Sequence, residues 1–450
     1  MIHCYKLNGY NIVLDIASGS IHSVDDVAYD AILLFEEVEK ETLAALIKEK
    51  YNSLPDSEIG MLFSEIEGLK QKGKLFSRDP FSGVAGQGRD IPLKALCMNV
   101  SHDCNMTCSY CFAGRGGYGS GGELMSLGTG KQAVDFLIRQ SGSQRNLDVD
   151  FFGGEPLLDW DVVKGVVEYA RGAEEGSGKK FRFTLTTNGL LIDEDVIEFT
   201  CAQMHNVVLS LDGRPEVNDA ARKLRDGGGS YREVVPKFRD IVEARGGRGY
   251  YIRGTFTNKN LDFFSDVVHL AGLGFTELSM EPVVAGKAAP YALTPDDLPM
   301  VFEQYEKLAA EMLRRDKLGG GFTFYHYKLD LTGGPCVYKR VAGCGVGTAY
   351  LAVTPGGELY PCHRFVGDEA FLMGDIWRGV VNDEVRTAFS GCNIYSRSEC
   401  RECWARFYCS GGCAANAYHA SGSVGGVYGL GCELFKKRLE CAIMMKVAAR

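Results

Sequence analysis

Apolar and polar positions follow two alternating patterns between residues 93 and 318. Short apolar runs, typical of strands, are each followed by a stretch in which apolar residues recur every three or four positions, as in amphipathic helices. The predicted strands are Leu93–Val100, Leu147–Phe152, Arg182–Thr187, Asn206–Leu211, Tyr250–Thr255 and Glu277–Pro282. The predicted helices are Gly130–Gln140, Asp161–Gly172, Glu194–Met204, Tyr231–Ala244, Leu261–Leu273 and Pro295–Leu318. Six such repeats predict parallel strands joined by right-handed crossovers, hence an α/β fold built on a partial (β/α)6 barrel.

Residues 1–76 show a different order of elements. Two short strands, Ile12–Asp15 and Ile21–Val24, flank a turn of small polar residues. Three helical stretches follow, predicted at Val27–Phe35, Glu41–Tyr51 and Ser57–Lys72. Strands followed by three helices predict a separate winged-helix module, and the Gly- and Pro-rich residues 77–92 predict a linker to the barrel.

The pattern changes again after Gly319-Gly320-Gly321. Residues 319–450 are irregular and rich in glycine and cysteine. We therefore expect a third domain in which metal ligation replaces much of the hydrophobic core.

Composition excludes some classes of function. The 450 residues suffice for two or three domains, and the net charge of −9 argues against nucleic acid as the main ligand. No run of 18 or more apolar residues predicts a membrane span, and the first residues do not resemble a secretory signal. We expect a cytoplasmic protein.

Most of the 16 cysteines fall into two groups along the chain. Four lie within residues 97–111 and ten within residues 336–441. In a chain without an export signal, such clustering favours metal or cluster ligands over disulfides.

The early group follows the first predicted barrel strand. Cys104, Cys108 and Cys111 are spaced four and three residues apart. Three thiolates can hold three irons of a cubane cluster and leave the fourth iron open to a small molecule. A zinc site with His102 as fourth ligand is the alternative. Cys97 lies within the strand and is predicted to be a buried thiol.

This spacing, with an aromatic residue before the last cysteine, resembles the signature of radical S-adenosylmethionine (SAM) enzymes. Gly153-Gly154-Glu155-Pro156, after the second strand, is similar to the family's GGEP motif. The resemblance implies that Cys104, Cys108 and Cys111 are the catalytic ligands of a 4Fe–4S cluster that binds SAM. It also implies SAM contacts from Tyr110, Phe112, Gly153, Gly154, Glu155, Thr187, Asn188, Ser210, Asp212 and Arg253.

Each implied SAM contact has a chemical reason. Glu155 offers a carboxylate to the SAM ammonium, with the backbone of the glycine pair beside it. Ser210 and Asp212 suit hydroxyl and other polar groups of SAM, and the guanidinium fork of Arg253 suits a carboxylate. Ordinary turn or surface roles remain the alternative for Ser210 and Arg253.

The late cysteines resemble the SPASM domain that extends many radical SAM enzymes. The resemblance implies two auxiliary 4Fe–4S clusters, which makes three in the chain. The outer cluster would take Cys400, Cys403, Cys409 and Cys432. The inner cluster would take Cys344, Cys362 and Cys413, with either Cys336 or a substrate thiolate at its fourth iron. Iron or zinc sites without electron transfer are the alternative, and Cys4, Cys201, Cys392 and Cys441 are expected to be plain thiols.

The first 76 residues resemble the PqqD-like element that binds leader peptides by adding a strand to a sheet edge. A small regulatory or dimerising winged helix is the alternative. The order of the three domains resembles the maturases of SCIFF peptides, which link a cysteine sulfur to the α-carbon of a threonine. The resemblance implies a Cys-rich precursor peptide as substrate and an electron donor such as flavodoxin or ferredoxin.

Two other functions remain open from the sequence. One is a different SPASM enzyme, either a sulfatase-maturase-like dehydrogenase or a carbon–carbon cross-linker. The other is a non-catalytic iron–sulfur or zinc scaffold that binds peptides. The sequence identifies no general base, because nothing ranks Tyr110, Glu155, Tyr360 and His363, which all lie near the motifs.

Overall fold

A computed structural model describes residues 1–52, 54–84, 91–119, 121–286, 288–329 and 337–449. The amino-terminal region contains three strands, β1 (Ile2–Leu7), β2 (Tyr10–Asp15) and β3 (Ile21–Val24). They form an antiparallel sheet in the order β1-β2-β3. Three helices follow: α1 (Asp26–Leu34), α2 (Lys40–Lys50) and α3 (Asp56–Gln71). The predicted strands and helices are present, and β1 is an additional strand that the apolar pattern did not reveal.

The six predicted barrel strands are confirmed, with ends that shift by one or two residues. They are β4 (Ala95–Ser101), β5 (Asn146–Gly153), β6 (Lys180–Thr187), β7 (Asn206–Ser210), β8 (Tyr250–Phe256) and β9 (Glu277–Pro282). The helices between and after them are α4 (Leu127–Gln140), α5 (Trp160–Ser177), α6 (Glu194–Gln203), α7 (Pro215–Ala221), α8 (Tyr231–Ala244), α9 (Phe263–Gly272) and α10 (Leu298–Lys317). Helix α7 was not predicted.

The carboxyl-terminal region adds strands to the same sheet. These are β10 (Thr323–Phe324), β11 (Tyr350–Val353), β12 (Glu358–Tyr360), β13 (Gly374–Asp375) and β14 (Gly379–Val380). The sheet order is β10-β9-β8-β7-β6-β5-β4-β11-β12-β13-β14. Along this order the pairs from β10-β9 to β4-β11 are parallel. The pairs β11-β12, β12-β13 and β13-β14 are antiparallel. The predicted α/β fold is correct, but the sheet extends beyond six strands.

The remaining helices are α11 (Val337–Ala342), α12 (Asp383–Ser390), α13 (Ser398–Arg401), α14 (Arg406–Cys409), α15 (Ala414–Ser421) and α16 (Gly429–Ala448). The expectation of a largely coreless tail was wrong for α16. This helix packs on α10, and it buries Leu434, Leu439, Ile443 and Met444 in the main hydrophobic core.

The core forms because one face of each strand and one stripe of each helix are apolar. In β5, buried and partly exposed residues alternate, and Phe151 is fully buried. Helix α5 covers the sheet with Val163, Val166 and Val167, which are also fully buried. Burial of each such side chain contributes about 1.5–3 kcal/mol. This packing holds the carboxyl ends of the strands in place.

The amino-terminal sheet contacts the carboxyl-terminal region through β1. His3 stacks on Trp404 with ring centroids 3.6 Å apart, and its Nε2 lies 3.0 Å from Glu440 Oε1. The Tyr5 hydroxyl donates to the Glu440 carbonyl at 2.9 Å. On the opposite side of the sheet, β3 pairs only with β2 among the described residues. One edge of this sheet is therefore covered and the other is open.

Candidate active site

A cavity of about 230 Å³ lies at the carboxyl ends of the barrel strands. Its wall includes most residues that the sequence assigns to a cluster and to SAM. Those residues are Cys104, Cys108, Tyr110, Cys111, Phe112, Gly153, Gly154, Glu155, Thr187, Asn188, Ser210 and Arg253. Parallel strands place their carboxyl ends at one edge of the sheet, which is why motifs far apart in sequence meet here.

Cys104, Cys108 and Cys111 are carried by the loop that follows β4. The backbone N–H of Thr107 donates to Lys223 O at 2.8 Å and that of Ser109 donates to Ala221 O at 2.9 Å. The loop is therefore held against the segment after α7. Burial raises the pKa of the Cys104 thiol to about 12, with further increases from Glu155 and Cys108. Burial also raises the pKa of Cys108, whose thiol lies near Cys111.

The cysteine loop lies so close to Gly153 and Gly154 that a side chain would not fit at either position. A Cβ atom on Gly153 would lie 2.3 Å from Ser101 O, and one on Gly154 would lie 2.0 Å from Asp103 O. The N–H groups of Gly154 and Glu155 donate to those same carbonyls, each at 2.8 Å. The N–H groups of Gly154 and Glu155 therefore bind the cysteine loop. The motif holds the cysteine loop against the end of β5.

Glu155 is buried, and its carboxylate already accepts three hydrogen bonds. Oε1 accepts from Thr187 Oγ1 at 2.7 Å and from Leu157 N at 3.1 Å, and Oε2 accepts from Asn188 N at 2.8 Å. Burial raises its pKa to about 6. Glu155 lines the cavity, but the hydrogen bonds that its carboxylate accepts connect the end of β5 to the end of β6.

Asp212 was predicted to contact SAM, and the structure gives its carboxylate other partners. Its side chain is buried outside the described cavity wall. One carboxylate oxygen accepts from the Tyr110 hydroxyl at 2.5 Å, and the other accepts from Thr255 N at 3.0 Å. Asp212 therefore supports the cysteine loop through Tyr110, because the carboxyl end of β7 turns it inward.

Arg222 is a site residue that the sequence analysis missed. It lines the cavity, and its Nη1 donates to the Tyr110 hydroxyl at 3.0 Å. Its buried Nε has no hydrogen-bond partner among the described protein atoms. No motif marks this residue, which follows the unpredicted helix α7. Sequence reasoning also missed Glu281 and Arg364, which line the same cavity.

The remaining predicted SAM contacts occupy two sides of the cavity. Asn188 Nδ2 donates to Asn105 Oδ1 at 2.7 Å and lies 3.7 Å from Cys104 Sγ. Ser210 on β7 pairs with Arg253 on β8. Both residues line the cavity. His102, the alternative zinc ligand, stacks on Tyr118 and is not in the described lining. No set of three His, Cys, Asp or Glu residues in the described chain has the spacing of a single metal ion site.

The late cysteines form two further groups. Burial raises the pKa of Cys362 to about 12, and the nearby thiols of Cys413 and Cys344 raise it further. Burial likewise raises the pKa of Cys409 to about 12, with increases from Cys432, Cys400 and Cys403. Cys344 and Cys413 thus lie near Cys362, and Cys400, Cys403 and Cys432 lie near Cys409. Cys336 lies outside the described residues.

Four cysteines were expected to be plain thiols. Cys441 is buried in the core, Cys201 is exposed on α6, and Cys4 is partly buried in β1. Cys392 lies beside Cys344 in a small cavity of the carboxyl-terminal region. Cys97 is buried in β4, as predicted.

Comparison with known proteins identifies the barrel. The family model of the Radical SAM superfamily matches residues 98–268. This chain contains a radical SAM domain. The matched segment carries Cys104, Cys108 and Cys111 and all of the predicted SAM contacts. No helix in the part of the chain described by the structure is long and apolar enough to cross a membrane.

Curated relatives match beyond the barrel as well. It is 24% identical to a cysteine-type anaerobic sulfatase-maturating enzyme of Clostridium novyi over 77% of this chain and 94% of the relative. It is 20% identical to the radical SAM cyclopropyl synthase TigE of Paramaledivibacter caminithermalis over 76% of this chain and 72% of the relative.

Two solved structures share the fold. The anaerobic sulfatase-maturase structure anSMEcpe with bound AdoMet matches 80% of this chain and 99% of its own, with TM-score 0.66 and 21% identity. Streptococcus suis SuiB bound to S-adenosylmethionine matches 94% of this chain and 97% of its own, with TM-score 0.53 and 15% identity. At these identities the likeness concerns the fold.

The site fits the cofactors that the radical SAM family implies, a 4Fe–4S cluster and SAM. Three half-buried thiols face one cavity at the end of β4. Arg222 and Arg364 each have a buried Nε without a hydrogen-bond partner in the described protein. Such N–H groups suit an anionic or sulfur-containing ligand. Cys104, Cys108 and Cys111 would hold the cluster.

Proposed function

We propose that this chain is a radical SAM maturase that oxidises a cysteine-containing precursor peptide whose leader docks on residues 1–76. The observation that carries the proposal is the open edge of β3. The resemblance of the chain to peptide-modifying enzymes supports it. His22 in β3 and Lys74, just after α3, are joined by a hydrogen bond of 2.9 Å between Nε2 and O. An extended peptide added to β3 would therefore lie close to the end of α3.

The register of the sheet indicates which backbone groups a leader would meet. Asp15 N donates to Ser20 O at 2.9 Å, and in an antiparallel pair bonded and non-bonded residue pairs alternate. Val13 with His22 is thus a bonded pair, and Ile12 with Ser23 is a non-bonded pair. The N–H and C=O groups of Ser23 consequently face the open edge. We propose that they pair with the leader.

The residues of the cavity suit a radical reaction on the bound peptide. When bound, a 4Fe–4S cluster and SAM supply a 5′-deoxyadenosyl radical that removes one hydrogen atom from the substrate. The cavity wall positions the reacting carbon and excludes water. The two carboxyl-terminal cysteine groups are proposed to hold auxiliary 4Fe–4S clusters, which makes three, and a cytoplasmic flavodoxin or ferredoxin is the proposed electron donor.

We propose a thioether between a cysteine sulfur and the α-carbon of a threonine as the product. The inner cysteine group supports this assignment. Cys362 and the cavity residue His363 are consecutive, so a thiolate bound near Cys362 would lie close to the cavity. The second candidate is oxidation of a sulfatase-type cysteine. The names of the curated relatives favour it, and these relatives cover more than 70% of this chain.

The activity is tested with the anaerobically reconstituted full chain, SAM and a reductant. The probes are a Cys-rich precursor peptide carrying its leader and a sulfatase-type cysteine peptide. The thioether proposal predicts release of 5′-deoxyadenosine and a mass loss of about two hydrogens from the precursor, together with loss of one alkylatable thiol. Conversion of the sulfatase-type peptide alone would favour the second candidate. A chain that binds zinc but no iron would end the radical proposal.

Leader docking is tested by Ser23→Pro, with Ser23→Ala as the matched control. Proline removes the outward N–H but is tolerated on an edge strand. Loss of one hydrogen bond of about 1 kcal/mol predicts leader binding weaker by roughly fivefold, with SAM cleavage unchanged. The alanine variant should bind the leader like the unaltered protein. Equal leader binding by all three proteins would contradict docking on β3.

A further inference from the structure

Glu281 lies at the carboxyl end of β9, on the cavity wall formed by the last barrel strand. Its side chain is 33% exposed. Its Oε1 lies 3.3 Å from His326 Nε2, and its Oε2 lies 3.9 Å from Arg438 Nη1. Three distant parts of the chain thus meet at one carboxylate.

The contact between Arg438 and His326 defines the protonation of the imidazole. Arg438 Nη1 lies 3.0 Å from His326 Nδ1. A guanidinium only donates hydrogen bonds, so Nδ1 must accept and the ring proton must lie on Nε2. That N–H faces Glu281 Oε1, with Ser279 Oγ also 3.3 Å from Nε2. The Nε2–H of the imidazole therefore has two oxygen neighbours, the hydroxyl of Ser279 and the carboxylate of Glu281.

The surrounding charges agree with this arrangement. Burial lowers the pKa of His326 to about 4, which keeps the ring neutral. Burial alone would raise the pKa of Glu281, but His326, Arg438 and Arg253 outweigh it and lower that pKa. The two guanidinium groups favour the ionised form of Glu281.

Glu281 differs from Glu155, the other carboxylate of the described wall. Glu155 accepts three hydrogen bonds from the ends of β5 and β6 and is 1% exposed. Among the charged groups of the described chain, only His326 Nε2 lies within 3.5 Å of the Glu281 carboxylate, and a third of the side chain is exposed. Only Glu281 is thus free to meet a substrate.

We propose that Glu281 is a catalytic residue that accepts the proton lost by the peptide, an inference that rests on the proposed function. The 5′-deoxyadenosyl radical takes one hydrogen atom from the reacting carbon and becomes 5′-deoxyadenosine. The substrate radical must then lose one electron and one proton to form its new bond. The electron passes to an oxidised iron–sulfur cluster, and the proton passes from the neighbouring S–H, O–H or N–H group to Glu281. Loss of the electron makes that group strongly acidic, so a carboxylate suffices as the acceptor.

The test uses the reconstituted full chain and a Cys-rich precursor peptide that carries deuterium at the reacting carbon. Glu281→Gln keeps the size of the side chain but removes its basicity. We expect deuterium transfer into 5′-deoxyadenosine to be retained and oxidised peptide to fall by about 10²–10⁴-fold. Glu281→Asp should recover part of the product. Glu277→Gln is the matched control, because Glu277 lies at the other end of β9 and pairs with Lys328 at 3.0 Å.

Three outcomes would overturn the assignment or its basis. Unchanged product formation by Glu281→Gln would show that the carboxylate takes no essential proton. Loss of deuterium transfer together with product would show that Glu281 positions the peptide instead. Absence of oxidised peptide from the unaltered enzyme would remove the proposed function, and the assignment with it.

Discussion

The barrel and the carboxyl-terminal region both hold clustered cysteines, but they hold them differently. Cys104, Cys108 and Cys111 lie on a loop attached to the sheet by backbone hydrogen bonds and glycine contacts, above the main hydrophobic core. Cys362 and Cys400 instead belong to two small hydrophobic groups. Around Cys400 and Cys409 the helices α13 and α14 have only four residues each.

The difference concerns what preorganises each site. In the barrel, the sheet positions the ligands before any cofactor binds. Around Cys362 and Cys400 the local core is small, so we expect bound metal to supply much of the local stability there. The following predictions test that contrast.

The largest effect is expected from single ligand substitutions in the two regions. Cys104→Ala should reduce SAM cleavage to background, because it removes one of the three ligands of the SAM-binding cluster. Cys413→Ala should retain SAM cleavage but lose about four irons and the oxidised peptide. The measurements are 5′-deoxyadenosine release and bound iron per chain. Equal loss of SAM cleavage in both variants would contradict the separation of roles.

Removal of the metal should affect the regions unequally. After treatment with an oxidant and a chelator, we expect amide hydrogen exchange around residues 392–413 to accelerate by at least about tenfold. Strands β4 to β8 should change little, because their hydrogen bonds lie within the hydrophobic core. Mass spectrometry of exchanged peptides measures both. Uniform acceleration along the chain would show that the barrel also depends on metal.

Alanine substitution of a glycine that contacts the cysteine loop should have an intermediate effect on the stability of the metal-free protein. Gly154→Ala should destabilise folding by about 1–3 kcal/mol, because its Cβ would collide with the carbonyl of Asp103. Gly172→Ala, in the open middle of α5, has no neighbouring atom within 4 Å and should stabilise by about 0.5–1 kcal/mol. Denaturant unfolding of the two variants measures the difference. A neutral Gly154→Ala variant would show that the loop is not preorganised.

The amino-terminal sheet should resemble the barrel in needing no metal. Buried Asp15 accepts hydrogen bonds from Ser77 N at 2.8 Å and from Ser18 N at 3.0 Å. Burial alone would raise its pKa, but the bonds from Ser77 and Ser18 outweigh it and lower it. A lowered pKa gives stability that is present above the unfolded-state pKa of about 4 and lost as the pH falls below it.

Asp15→Asn should therefore cost about 1–3 kcal/mol at neutral pH and less at acid pH. Denaturant unfolding measured at pH 7 and at about pH 3 tests this. Ser18→Ala, which keeps the backbone donor, is the control and should cost less. If Asp15→Asn lowered the free energy of unfolding equally at both pH values, this would contradict stabilisation by an ionised Asp15 carboxylate.

The sequence alone determined several features of the barrel. The six strands and most of the helices between them follow from apolar periodicity, which is a local property of neighbouring residues. The three-cysteine spacing and the GGEP motif are also local, and both lie at the cavity. Their placement followed from one rule, that parallel strands share a carboxyl edge.

Other features could not be read from local patterns. Helix α16 was missed because its apolar residues are spread around it and packed against α10. Strand β1 has the sequence IHCYKL, which mixes polar and apolar residues, and it was recognised only through its pairing with β2.

Only the tertiary structure decided the roles of the site's charged residues. Asp212 and Glu281 both end barrel strands, but one is buried under Tyr110 and the other faces the cavity. Residues 281, 326 and 438 meet although more than 40 positions separate each from the next. The protonation and exposure of a carboxylate depend on such distant neighbours, which chain order does not reveal. The cysteine spacing therefore identified the chemistry, and packing determined which side chains can take part in it.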